Sequence, residues 1–374
     1  MDRQNCLIIG CGGCGCKQLD ELLNIDNRYA SLFVNTNLAE MDILDNYTER
    51  NSFYIPNADG TGKDRNLAKK YFTEEQANLI GLLRKFANQP YIYLLASADG
   101  GTGSAAIIAL SKIINVFLPE KQVNIILTIP SLNVNRKSLE NTIDTWNELI
   151  SLRTKKIIKS IQFIDNNKEF ANNTTNKEAL INKKAMTIFD KSFDMVDGGI
   201  DNSDLEKAHN YPGYKIILPL KNIFNNISEA IIDAGNESVF YLPEINTSNS
   251  TIYQCKQMLG SINEVYNEKE LNKVIESFEF SKINVTDDES ILMLSGCKIP
   301  RDIIELINEA LKETIEREKR FDDNNNDDDL FIKRDNVISK ETINEISSDN
   351  EKSKKKKSKS RVSKEEFKRL LKDL

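Results

Sequence analysis

Ser97-Ala98-Asp99-Gly100-Gly101-Thr102-Gly103-Ser104-Ala105 follows the apolar run Tyr91–Ser97 (YIYLLAS) and leads into a second apolar stretch, Ala105–Phe117. The order reads as strand, glycine loop, helix. Consecutive glycines allow φ > 0 and remove side chains, so backbone N–H groups can converge on phosphate oxygens. Thr102 and Ser104 add hydroxyl donors, and the following helix adds the positive end of its dipole. A turn that serves only helix–strand packing is the simpler alternative. It is weakened by a second loop of the same kind.

That loop, Gly10-Cys11-Gly12-Gly13-Cys14-Gly15, lies between the strand Leu7–Ile9 and a helix beginning over Lys17–Leu23. Alone, its G-x-G-x-x-G spacing suggests a dinucleotide fold and an oxidoreductase. The acidic residue expected after the second strand, Tyr29–Asn35 (YASLFVN), is Asn35 instead, which removes the usual ribose partner. Gly60-Thr61-Gly62-Lys63-Asp64 lacks the first glycine and the final Ser/Thr of a Walker A loop. Two glycine loops at the C-terminal edge of one parallel sheet suit a triphosphate, which is large enough to need both.

Around these loops the first half alternates apolar strands with helices. Leu67–Ala87 is expected to be helical, Val123–Ile129 a strand, Ser138–Leu152 a helix and Ile157–Ile164 a strand. Continuous apolar strands separated by helices predict an α/β fold with a parallel sheet covered on both faces. Glu178–Val196 reads as one long helix stopped at Asp197-Gly198-Gly199. A smaller α+β region follows, with strands at Lys215–Leu218, Ser238–Leu242, Ser277–Asn284 and Ile291–Ser295. Its helices are expected at Asn222–Ala234, Tyr253–Asn263 and Arg301–Lys319, and the acidic run from Asp322 to Asp329 reads as a linker. The expected division is 1–178, a central helix at 179–200, 201–320, and a flexible tail at 321–374.

The 374 residues suffice for two cores, and the net charge of −7 argues against whole-surface nucleic-acid binding. No apolar run reaches the ~20 residues of a membrane span, and the N-terminus does not read as a signal peptide. A cytoplasmic location is expected, without membrane attachment. Cys11-x-x-Cys14-x-Cys16 has no distant Cys-x-x-Cys partner, and His209 is the sole histidine, so these thiols read as small loop residues rather than metal ligands.

The Gly-Gly-Thr-Gly-Ser loop, with its N-terminal companion, resembles the tubulin/FtsZ superfamily over roughly residues 4–320, and most nearly the TubZ branch of segregation GTPases. The resemblance implies a GTPase that binds GTP with Mg²⁺ and polymerises head to tail. It places Gly12, Gly13, Cys14, Gly100, Gly101, Thr102, Gly103 and Ser104 around the phosphates, and Asn35 and Asn37 near the γ-phosphate and Mg²⁺. No side chain is assigned as a metal ligand. The segment 57–63 would report the γ-phosphate state. Ribose contact would fall to Asn133 or Asn135, and Asp165-Asn166 and Asn182 match guanine-reading positions, Asn182 being preferred.

The resemblance also makes Gly199–Leu205 a hydrolysis loop that enters the next subunit's pocket, with Asp201 and Asp204 acting on the attacking water. The competing reading is that both acids cap the following helix; a filament that binds nucleotide without hydrolysing it would then be preferred. Beyond the acidic run, Lys352–Lys364 holds eight basic residues and no acid, including Lys354, Lys355, Lys356 and Lys357. Ser363–Glu366 offers a capping box, and Phe367, Leu370, Leu371 and Leu374 form an apolar stripe at helical spacing. A basic amphipathic helix on a tether suits a partner groove. The resemblance implies a DNA-bound adaptor of TubR type, with DNA reached through it, and so partition of plasmid or phage DNA.

Overall fold

Each position of β1 (Cys6–Cys11, CLIIGC) is buried. Its alternation splits the strand: Leu7, Ile9 and Cys11 enter one core, Cys6 and Ile8 the other. That is the behaviour of a parallel strand covered on both faces. The computed structural model describes residues 1–324, apart from 57, 169–175, 197, 244–250 and 288, with side chains to 320. Met1–Phe321 forms one compact unit.

After β1 come α1 (Gly12–Ile25), β2 (Ala30–Asn35), the short α2 (Ala39–Asp42) and β3 (Ser52–Tyr54). The single helix expected at Leu67–Ala87 is instead α3 (Arg65–Glu74) and α4 (Gln76–Leu83), parted at Glu75, whose ψ of 8° leaves the helical range. Next are β4 (Tyr91–Ser97), α5 (Thr102–Phe117), β5 (Gln122–Ile129), α6 (Arg136–Thr154) and β6 (Ser160–Asp165). The long helix is α7 (Lys177–Lys191), shorter than expected. It stops at Ser192, whose hydroxyl donates to the Phe189 carbonyl at 2.6 Å, after which the chain turns.

Then follow α8 (Asn202–His209), β7 (Gly213–Leu220) and α9 (Ile227–Glu237). The expected helix at Tyr253–Asn263 is a strand, β8. Tyr253 and Cys255 point inward while Gln254 and Lys256 point out, a period of two, and Gly260 further disfavours a helix. α10 (Glu268–Val274), β9 (Ile275–Thr286), β10 (Ser290–Cys297) and α11 (Asp302–Asn324) complete the order, so the acidic run begins within a helix rather than a linker. The expected strand at Ser238–Leu242 is reduced to one bridge, between Ile164 and Phe240.

Among the described residues, ten strands form one sheet in the order β3-β2-β1-β4-β5-β6-β7-β10-β8-β9. Neighbours are parallel from β3 to β7; β10 is antiparallel to both β7 and β8, and β8 and β9 are parallel. The join between β6 and β7 is two residue pairs long, Ser160 with Gly213 and Ile161 with Tyr214. There the Tyr214 hydroxyl accepts from the Phe163 N–H at 3.0 Å and donates to the Tyr241 carbonyl at 2.5 Å. No described helix is long and apolar enough to cross a membrane.

Candidate functional site

The two glycine loops are shorter than the sequence suggests, because each helix begins inside its loop. α1 starts at Gly12 and α5 at Thr102. The amides of their first turns have no intrahelical acceptor and remain free to meet an anion. The loops also touch. A Cβ on Gly12, which has φ +67°, would lie 2.7 Å from the Gly103 nitrogen, and one on Gly103 would lie 2.5 Å from the Cys11 carbonyl oxygen. Glycine is required where one backbone rests on the other.

These loops floor a cleft of about 380 Å³. Gly12, Gly13 and Cys14 line it from the first loop, and Gly100, Gly101, Thr102 and Gly103 from the second. Asn35 and Asn37 come from the end of β2. Asn35 is fixed in place: its Oδ1 accepts the Thr36 N–H at 2.8 Å and its Nδ2 donates to Glu40 at 2.9 Å. The Thr102 hydroxyl bonds Thr36 at 2.6 Å and approaches Thr61 at 3.3 Å, tying three loops together. Such a cradle of amides, hydroxyls and carboxamides, floored by glycines that leave the backbone open, fits a polyphosphate.

Two of the expected nucleotide residues face away from the cleft, and a third lies just beneath its floor. Ser104 is fully buried; its hydroxyl accepts from Arg65 Nε at 3.0 Å and donates to the Gly100 carbonyl, so it braces the loop from behind. Asn135 is the N-cap of α6, its side chain accepting the Ser138 N–H at 3.0 Å, while Val134 lines the cleft. Asn182 is buried beneath the cleft, accepting a hydrogen bond from Gln18 Nε2 at 3.0 Å.

Gln18 is a residue the sequence reading missed. It also donates to the Thr128 hydroxyl at 2.6 Å, and among the described residues its buried Oε1 has no partner. The buried Asn166 Oδ1 is likewise unpartnered, and Asn166 and Glu178 both line the cleft. Gln18 lies one helical turn beyond Cys14 and Asn182 one turn beyond Glu178, the i, i+4 spacing that could have flagged both. Cys14 lies above this group, and burial pushes its thiol up to about 11, with the Thr128 hydroxyl opposing. Lys63, Asp99 and Glu40 are further lining residues not singled out as contacts.

Asp201 and Asp204 are outside the cleft, at the start of α8. They form a reciprocal capping box: the Asp201 carboxylate accepts the Asp204 N–H at 2.9 Å, and Asp204 accepts the Asp201 N–H at 3.1 Å. Asp201 is exposed, whereas Asp204 is buried and ion-paired with Lys282. Lys354, Lys355, Lys356, Lys357, Phe367, Leu370 and Leu371 lie outside the described residues, as does the expected tail helix.

Residues 5–173 match the Tubulin/FtsZ family, GTPase domain. Tubulin-like protein TubZ of Clostridium botulinum C phage is 23% identical over 306 residues, covering 80% of this chain and 81% of that protein. The structure of tail-truncated TubZ from Clostridium botulinum phage c-st superposes with a TM-score of 0.75 at 23% identity, covering 84% of this chain and 99% of that one. A GTPγS-form protofilament of Bacillus thuringiensis serovar israelensis TubZ gives a TM-score of 0.68 at 16% identity, covering 86% and 94%. Residues 5–173 are therefore similar to the tubulin/FtsZ GTPase domain, and the body around them has the fold of the TubZ structures.

Proposed function

We propose that this chain binds GTP with Mg²⁺, assembles head to tail with copies of itself, and hydrolyses GTP where one subunit's α8 loop meets the next subunit's cleft. The interlocked glycine loops carry the reading, since Gly12 and Gly103 hold two helix N-termini against one cleft. Gly12–Cys14 and Gly100–Gly103 would hold the phosphates, with Asn35 and Asn37 beside the terminal one. Mg²⁺ would neutralise phosphate charge, held chiefly by the nucleotide. Asn166, Asn182 and Gln18 would meet the guanine, because carboxamides both donate and accept. In this reading residues 1–178 bind nucleotide, 179–200 connect, and 201–320 present the hydrolysis loop. Heterologous contacts of this kind do not close, so filaments result.

In this reading the two acids do different work. Asp204, buried against Lys282, would position the loop, and exposed Asp201 would orient the attacking water. The same box favours a second reading, a filament that binds GTP without hydrolysing it. Partition of plasmid or phage DNA, through a TubR-type adaptor held by residues 350–374, extends the proposal by likeness to TubZ. Light scattering with GTP, ATP or NAD added separately tests assembly, and phosphate release then separates the two readings. Scattering that ignores GTP would overturn both.

A further inference from the structure

The cleft's charges are unbalanced for its proposed ligand. Glu40, Asp99 and Glu178 line it as acids, and among the described lining residues Lys63 carries the one positive charge. Lys63 is held in a costly conformation for a residue with a Cβ, with φ +63° between loop and helix. Its Nζ pairs with Asp99 at 2.7 Å and also bonds the Ser138 hydroxyl. The side chain remains 40% exposed and can swing on its stem, while the Asp99 side chain is 17% exposed.

The backbone around this pair is tied down. Asn141 Nδ2 donates to the Lys63 carbonyl at 2.9 Å and to the Asp99 carbonyl at 3.1 Å, joining both loops to the first turns of α6. A Cβ on Gly101 would lie 2.9 Å from the Lys63 Cα, so Lys63 sits directly against the phosphate-facing loop. The first loop meets the second at Gly103, and Lys63 meets it at Gly101. Lys63 therefore stands at the end of the cradle away from the Cys14–Gln18–Asn182 group.

We infer that Lys63 is an exchanging phosphate ligand: it leaves Asp99 for the terminal phosphate of a bound nucleoside triphosphate, and in doing so changes what α6 feels through Ser138. A half-exposed Lys–Asp pair holds weakly, whereas a phosphate offers several charged acceptors to one ammonium. A diphosphate would leave the pair in place. The inference rests on the nucleotide reading of the cleft and adds to it the residue that separates triphosphate from diphosphate.

Calorimetric titration of the full chain with GTPγS and with GDP tests it. In Lys63→Met, and in Lys63→Gly, which also relieves the positive φ, the preference for GTPγS should fall about tenfold or more while GDP affinity changes little. Asp99→Asn should tighten GTPγS severalfold, and the gain should vanish when combined with Lys63→Met. Equal weakening of both nucleotides in the Lys63 variants, or weaker GTPγS binding in Asp99→Asn, would overturn the inference. A wild-type chain that binds neither nucleotide would overturn the nucleotide reading and this inference with it.

Discussion

Lys282 Nζ lies 2.5 Å from Asp204 Oδ2, and that same oxygen accepts the backbone N–H of Asp201. Burial pushes the Asp204 carboxyl up, but Lys282 and the Asp201 amide outweigh it and hold the group below its ordinary value. β9 thus clamps the loop that carries Asp201. The stabilisation is present above the unfolded carboxyl's range and is lost as pH falls through the folded pKa. Asp204→Asn should therefore flatten the acid limb of a plot of Tm against pH.

Asp201→Asn separates capping from chemistry, since asparagine caps a helix about as well as aspartate. Fold and GTP-dependent assembly should be retained, while phosphate release falls by roughly 10²-fold or more. Asp201→Ala should add about 1 kcal/mol of destabilisation through the lost cap. A wild-type release rate in Asp201→Asn would leave the acid with a capping role alone.

The glycine loops predict opposite outcomes at neighbouring positions. Gly103→Ala drives a Cβ to 2.5 Å from a backbone oxygen, where nothing flexible can yield. It should cost about 1–3 kcal/mol of stability and abolish nucleotide binding. A Cβ on Gly100 meets nothing within 4 Å. Gly100→Ala should leave Tm nearly unchanged but weaken GTPγS, because the nucleotide alone would occupy that space. Thermal melts with and without nucleotide read both effects.

Lys215 on β7 is fully buried, and burial pulls its ammonium down to about 7. Its Nζ lies 3.3 Å from His209 Nδ1 and 5.3 Å from the centre of the Tyr93 ring. The unfolded chain binds more protons between about pH 7 and the ordinary lysine value, so stability should rise with pH across that window. Lys215→Met should remove the rise and gain on the order of a few kcal/mol near neutral pH. Denaturant melts across this pH range check the sign.

Truncation after Asp349 removes the lysine run and the apolar stripe at Phe367, Leu370 and Leu371. GTP-dependent sedimentation should be unchanged, and capture of a TubR-type adaptor on DNA should be lost. Undiminished capture would assign recruitment to the folded body.

The sequence made the sheet's first half plain because strands such as Leu7–Ile9 and Tyr91–Ser97 are apolar throughout and end in glycine loops. The helix expected at Tyr253–Asn263 fails because β8 alternates only over its first four residues and is buried continuously from Met258 to Ile262, a run that fits either period. Within the site, glycines were legible since their role is to be absent, and absence shows in the letters. Ser104 and Asn135 were not, because a hydroxyl or carboxamide can face the ligand or its own backbone, and packing decides. Gln18 needed the 164-residue separation from Asn182 closed in space before its place could be seen.

The two-pair join between β6 and β7 is the shortest ladder of the described sheet. Beyond it the Phe163 N–H turns to the Tyr214 hydroxyl, and β6 takes its remaining edge bonds from the 239–241 segment, where the Tyr241 N–H donates to the Phe163 carbonyl and the Asp165 N–H to the Val239 carbonyl. The seam between the cleft-bearing strands and β7–β10 is thus closed by a loop and a side chain rather than by a continuous ladder. In the proposed filament, strain between subunits would fall on this seam before it reached the interlocked glycine loops, which lie away from it at the ends of β1 and β4.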